Sequence, residues 1–228
     1  GERSGRIPLS FSQQRLWFID QLEGSISYHM PILLCLDGTL DIAALSASLK
    51  EVVNRHEVLR TVIKSDNGVA YQEVQSAEDW SLEVVKLNAS FDFTVLLHSA
   101  IATPFDLSSD YMLRVCLYDK GDDTYILSGV MHHIASDGWS EGVFVEEFTN
   151  LYQSYSSGIA SDLAPLPLQY IDYALWQQEY VEGEVLDSQL SYWQEQLSGV
   201  SPLGLPTDYQ RPIEQSTKGS RYAFGIDA

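Results

Sequence analysis

Met131-His132-His133-Ile134-Ala135-Ser136-Asp137-Gly138-Trp139-Ser140 is the stretch on which the reading of this 228-residue chain turns. An apolar run, Tyr125 to Val130, leads into it, and an amphipathic run, Gly142 to Tyr155, leads out. Two histidines, a carboxylate and a glycine therefore sit at a strand-to-helix junction, where rigid elements carry a loop suited to chemistry. Side chains alternate across a strand. If the strand reaches His133, that residue shares a face with Tyr125, Leu127, Gly129 and Met131, and His132 falls on the other face with Ile126, Ser128 and Val130. One histidine can then meet a substrate as a base or positioning group, while its neighbour is buried and hydrogen-bonded. Adjacent histidines that face opposite ways cannot chelate one ion, and no third ligand cluster is evident, so no metal is expected.

Outward from this centre, the chain alternates strands and helices. Upstream, Tyr111–Tyr118 and Thr124–His132 form a hairpin candidate across Asp119-Lys120-Gly121-Asp122-Asp123, and Phe93–Thr103 reads as a helix ended by Pro104. Leu59–Lys64 and Val69–Val74 flank Ser65-Asp66-Asn67-Gly68, a second hairpin signal, and Leu82–Leu87 reads as a further strand. Leu45, Leu49, Val52 and Val53 lie at helical spacing behind a capping Asp41. The run Pro31–Asp37 reads as a buried strand, and Ser10–Glu23 as a capped helix ended by Gly24. Downstream, helices are expected at Gly142–Tyr155, Tyr170–Val181 and Ser188–Leu197, with a loop at Ser156–Pro167. After Gly199 proline-rich dipeptides mark an extended connector, and Gly219–Ile226 reads as a last strand with nothing after it to pair with. The expectation is an α/β two-layer sandwich in a chain that continues beyond Ala228.

Composition narrows the function. With 13 basic and 32 acidic side chains the net charge is −19, which repels nucleic acid and anionic lipid at long range. Neither is an expected partner. No segment approaches 18 uninterrupted apolar residues, and Gly1–Ser10 lacks the apolar centre of a signal peptide, so a cytoplasmic location is expected. Cys35 and Cys116 lie in apolar runs and read as reduced, buried thiols. Gly138-Trp139-Ser140-Glu141-Gly142 matches the GxSxG nucleophile elbow. All five histidines precede Ser140, however, against the order Ser, acid, His that such hydrolases use. A buried Asp137 would need a cationic partner, and Arg15, Arg55, Arg60 and Arg114 are the candidates in structured segments.

Several blocks together resemble the condensation domain of nonribosomal peptide synthetases. Ser10-Phe11-Ser12-Gln13-Gln14-Arg15-Leu16-Trp17 is similar to the family's SxAQxRLW opening, with Ser12 in the alanine position. Arg55-His56-Glu57-Val58-Leu59-Arg60-Thr61 resembles RHExLRT, and Pro104-Phe105-Asp106-Leu107 with Leu113-Arg114 resembles PFDL…LR. Met131–Ser140 resembles MHHxxxDGWS, Tyr170–Gln177 resembles YxDYAxWQ, and Leu205-Pro206-Thr207-Asp208 with Arg211-Pro212 resembles the connector that follows.

The resemblance implies a chloramphenicol acetyltransferase-like fold of two lobes with the active site between them. Residues 1–182 would be the N-terminal lobe, and 183–228 the crossover and the start of an incomplete C-terminal lobe, a fragment inactive by itself. It implies peptide bond formation between a donor acyl or peptidyl thioester and an acceptor aminoacyl thioester. Both would ride on phosphopantetheine arms of carrier domains beside an adenylation domain, with no bound cofactor. It makes His133 catalytic, His132 structural, and Asp137 structural in a pair with Arg60. Gly138 would let the backbone approach substrate. The Trp139-Ser140 ending is similar to the subtype that takes an L-configured donor. A non-catalytic docking domain for carrier domains or another enzyme is the alternative.

Overall fold

The computed structural model describes residues 6–87, 93–210, 213 and 222–225. Two compact units divide it, residues 1–182 and 183–228.

In the first unit, Ile7–Pro8 (β1) leads to a helix, Phe11–Glu23 (α1), whose start is fixed by a reciprocal capping box: Gln13 N donates to Ser10 Oγ at 3.2 Å and Ser10 N donates to Gln13 Oε1 at 3.0 Å. His29–Asp37 (β2) follows. The next helix, Ile42–Arg55 (α2), is capped as expected by Asp41, whose Oδ1 accepts from Ala44 N at 2.9 Å. Thr61–Asp66 (β3) and Val69–Val74 (β4) form the first hairpin. Asn67 (φ 52°) and Gly68 (φ 82°) supply the two positive φ angles that a two-residue turn of this hand demands. Glu83–Lys86 (β5), Phe93–Ala102 (α3) and Leu113–Asp119 (β6) make a strand–helix–strand crossover, which is why β5 and β6 pair in parallel. Thr124–His132 (β7), Gly138–Ser157 (α4) and Tyr170–Tyr180 (α5) complete the unit.

One sheet has the order β1-β4-β3 and the other β2-β7-β6-β5. β7 lies inside the larger sheet, so every residue from Ile126 to His132 is buried. On one face, Leu113, Val115, Leu117, Leu127 and Met131 pack with Leu45, Leu49, Val52 and Val53 of α2 and Phe144, Phe148 and Leu151 of α4. On the other, Val130 joins Leu16 of α1, Ile63 of β3 and Phe105, Leu107 and Met112.

Three expectations need correction here. β2 is an edge strand with alternating burial, not a buried one, and Cys35 is exposed on it. An apolar run alone does not distinguish a central strand from an edge whose second face is open. Leu59 and Arg60 do not open β3: they belong to a 3-10 turn, Glu57–Arg60, that tightens the exit from α2. Cys116 is half-buried, and burial pushes its thiol up to about 11, which keeps it protonated and unreactive.

Among its described residues the second unit holds one helix, Gly183–Gln196 (α6), starting five residues earlier than expected. Its Leu186, Leu190 and Trp193 follow helical spacing yet are all exposed. Residues 197–210 contain no helix or strand. Of the expected strand Gly219–Ile226, residues 219–221 and 226 lie outside the described residues, and 222–225 are not extended into a sheet. Among the described residues, no helix is long and apolar enough to cross a membrane.

Candidate active site

β7 ends at His132, and residues 133–135 turn away before α4 begins at Gly138. The turn is held on both sides. His133 N donates to Tyr28 O at 2.9 Å, Ala135 N donates to His132 O at 2.9 Å, and Ser136 Oγ donates to the same carbonyl at 3.0 Å.

His132 is fully buried. Its Nδ1 accepts from Ile134 N at 3.0 Å, so Nε2 carries the proton and donates to Ser25 Oγ at 2.9 Å. Ser25 Oγ in turn donates to Asp20 Oδ1 at 2.5 Å. Both ring nitrogens are thus consumed in holding the turn. The edges of His29 and Phe105 close over the ring at centroid distances of 5.8 and 5.6 Å. Burial first, then the neighbouring His29, His133 and Arg114, push His132 down to about 4, so it stays neutral near pH 7. Burial also lowers the pKa of His29, whose Nδ1 donates to Ile101 O at 2.6 Å.

His133 differs in every respect. It is exposed, and its imidazole makes no hydrogen bond among the described residues. The ring meets Tyr28 edge-on at 6.4 Å and opens on a cavity of about 580 Å3, walled by Arg15, Tyr28, His56, Trp139, Ser140 and Tyr170 among others. The expected contrast of one buried and one exposed histidine is present, but its cause is the turn: the strand stops at His132, so alternation does not extend to His133.

Asp137 does not pair with Arg60. It is the N-cap of α4, with Oδ1 accepting from Trp139 N at 3.1 Å, Ser140 N at 2.9 Å and Ser140 Oγ at 2.7 Å. The Ser140 hydroxyl, then the backbone donors and the nearby His133, hold the carboxyl below the usual carboxylate range. The cap satisfies the charge at an exposed position, so no cation is needed. Arg60 donates instead to Gln75 O at 2.6 Å and Asn54 O at 3.3 Å, because its 3-10 turn aims it along the α2 exit. Ser140, the serine of the GxSxG match, is spent in the same cap: its hydroxyl donates to Asp137 Oδ1 and accepts from Asp137 N at 3.1 Å. Among the described residues its hydroxyl is bonded to no histidine. At Gly138 a side chain would meet nothing within 4 Å, so this chain's own packing does not require the glycine.

Sequence reasoning missed a buried ion cluster beside the cavity. Glu147 of α4 accepts from Arg55 Nε at 3.0 Å and meets His56 Nε2 at 2.6 Å, tying the end of α2 to α4. Gln169 clamps the same corner, donating to Arg55 O at 2.9 Å and accepting from Glu57 N at 3.1 Å. His56 and Tyr170 lay in blocks already quoted but carried no assigned role, and Arg15 was named only as a candidate partner of Asp137. Tyr28 and Glu147 had no local signal, since a 3-10 turn, Ile26–Tyr28, and a helix distant in sequence bring them in. Among the described residues, no group of three or more His, Cys, Asp or Glu side chains could hold a metal ion.

Comparison with known proteins then decides the family. The condensation domain family model matches residues 3–228. The chain belongs to the condensation domain family. A linear gramicidin synthase of Brevibacillus parabrevis is 43% identical over 228 residues, covering 96% of this chain and 3% of that protein. Malpinin synthetase of Mortierella alpina is 42% identical over 232 residues, covering 99% of this chain and 3% of that synthetase. Among solved structures, the X-domain in complex with OxyB from teicoplanin biosynthesis is 33% identical, with a TM-score of 0.83 over 93% of this chain and 48% of that one. The starter condensation domain of rhizomide synthetase RzmA, at 18% identity, shares the fold alone: TM-score 0.77, over 87% of this chain and 49% of that one. The chain therefore spans a small part of the synthetases it matches and about half of these solved chains. The fold is the chloramphenicol acetyltransferase-like α/β lobe expected from the sequence blocks.

Proposed function

We propose that this chain supplies the histidine-bearing half of a centre that forms a peptide bond between two carrier-bound thioesters. The observation that carries the reading is the division of labour in the pair: His132 has both nitrogens committed to structure, and His133 presents an uncommitted imidazole to an open cavity. The α-amine of the acceptor attacks the donor thioester carbonyl. A carbon–nitrogen bond forms, the carbon–sulfur bond breaks, and the phosphopantetheine thiolate leaves. The amine surrenders one proton, which ends on that thiolate. An α-amino group titrates near 7.7–8.0, so roughly a tenth of it or slightly more is already neutral at pH 7. His133 then has only to orient the amine and take its proton as the tetrahedral carbon forms. Gly138, at the start of α4, leaves the backbone open to the approaching substrate.

Donor and acceptor carrier domains are the partners of this reading, with an adenylation domain loading them in the same cytoplasmic synthetase. Residues 183–228 serve as the crossover into a second lobe that completes the site, and an L-configured donor is preferred. The direct experiment loads both carrier domains and follows the amide product by mass spectrometry in the full-length synthetase. One observation favours a second reading, docking without chemistry: the similarity to an X-domain captured in complex with OxyB. Absence of amide from correctly loaded carriers, together with retention of a partner protein, would select it.

A further inference from the structure

A second cavity adjoins the first. It measures about 140 Å3, and Val52, Leu59, Met131, Val143 and Phe144 form its apolar walls. His56, Ala135, Trp139 and Ser140 line both cavities, so the smaller space meets the His133 cavity along the turn that carries the histidine. No Asp, Glu, Lys or Arg is among its lining residues. His56 lies at the shared wall, and its Nε2 is already engaged with Glu147 at 2.6 Å.

Interiors are close-packed, and a void forfeits the contacts its lining would otherwise make. Here the void persists although its wall carries small residues, Ala135 and Val143, where a leucine would fill it. Its size has a chemical meaning: a dry cavity of about 150 Å3 lined by aliphatic and aromatic side chains holds a benzene molecule. A branched aliphatic or phenyl group therefore fits. A carboxylate or ammonium would lose its hydration against walls that offer no counter-charge. Trp139, 85% exposed, lines both spaces where they meet.

We propose that this cavity receives the apolar side chain, leucyl to phenyl in size, of one of the two thioester substrates condensed at His133. The proposal rests on the condensation reading of His133. The side chain enters behind the turn while its thioester carbonyl or amine stays in the larger cavity.

The test is a single-turnover series in the full-length synthetase with leucyl, phenylalanyl, glycyl and glutamyl thioesters, first on the donor carrier with a fixed acceptor, then on the acceptor carrier with a fixed donor. In one of the two arms the leucyl and phenylalanyl substrates should outrun the glutamyl one by at least about tenfold, and that arm identifies the occupant. Val143→Phe, which fills the cavity, should lower the leucyl-to-glycyl rate ratio in the same arm by roughly 10–200-fold, the range a pocket of this kind discriminates. V143A should move the preference toward phenylalanyl. Ratios unchanged by both variants in both arms would overturn the proposal. If the wild-type synthetase forms no amide at all, condensation fails separately, and the cavity is probed with benzene alone. Shifts of the Leu59 and Met131 methyl resonances, abolished in V143F, would uphold an apolar site, and their absence would overturn it.

Discussion

At the residue scale, one buried and one exposed histidine were expected, but from strand alternation; β7 in fact ends at His132 with both its faces buried, and His133 is exposed because the chain turns there. Asp137 was not legible in the same way. Burial was assumed for it, and with burial a cation, whereas the helix that starts at Gly138 gives its carboxylate backbone donors instead. The D-x-x-S capping pattern at Asp137 and Ser140 was the available signal. Asn is as good a cap as Asp, so D137N should keep stability nearly intact, while D137A should lose about 1 kcal/mol. D137A and Arg60→Ala should add without coupling in a denaturation cycle; an interaction above about 1 kcal/mol would restore the ion pair. His132 makes a pH prediction. The unfolded chain takes up a proton near pH 6.5, and native His132 refuses it until about 4. Stability should therefore be full above pH 6.5 and fall by on the order of 3 kcal/mol as pH is lowered through this window. Urea unfolding between pH 7.5 and 4.5 measures it. If wild type and H132Q lose stability in parallel, His132 is not the group responsible.

At the element scale, the helices and hairpins that carry local signals were readable: the caps Ser10 and Asp41, the Asn67-Gly68 turn, and the spacing of Leu45, Leu49, Val52 and Val53, all of which are buried. What failed was set by tertiary context. The edge position of β2 and the 3-10 turn holding Arg60 depend on neighbours that no local window contains. The same holds for the Arg55–Glu147–His56 cluster, whose members are about ninety residues apart and whose Arg55 and Glu147 side chains are only 13% and 11% exposed. Removing one partner of such a pair leaves the other charge with little water. E147A should cost about 3 kcal/mol or more and loosen α4 against α2. Hydrogen exchange should then show faster exchange of the α4 amides near Glu147 than in wild type. Unchanged protection there would mean that apolar packing of Phe144 and Phe148 alone fixes the helix.

At the scale of the whole molecule, six ordered sequence blocks were enough to indicate the family, while the cavities were not readable, because a cavity is a property of several elements at once. The first unit carries both sheets and every residue that lines the His133 cavity. Limited proteolysis should accordingly leave a core that extends past α4 and ends near residue 182; a stable core ending before Gly142 would contradict that organisation. The central claim, that the chemistry depends on His133, belongs to this scale too, since the proposed reaction would need two loaded carriers and a complete site. The decisive measurement is single-turnover amide formation by the full-length synthetase with both carrier domains loaded, wild type against H133A, with melting curves for each. The expected result is a rate lowered by roughly 10²–10⁴-fold at an unchanged melting temperature. Near wild-type turnover in a folded H133A protein would contradict it.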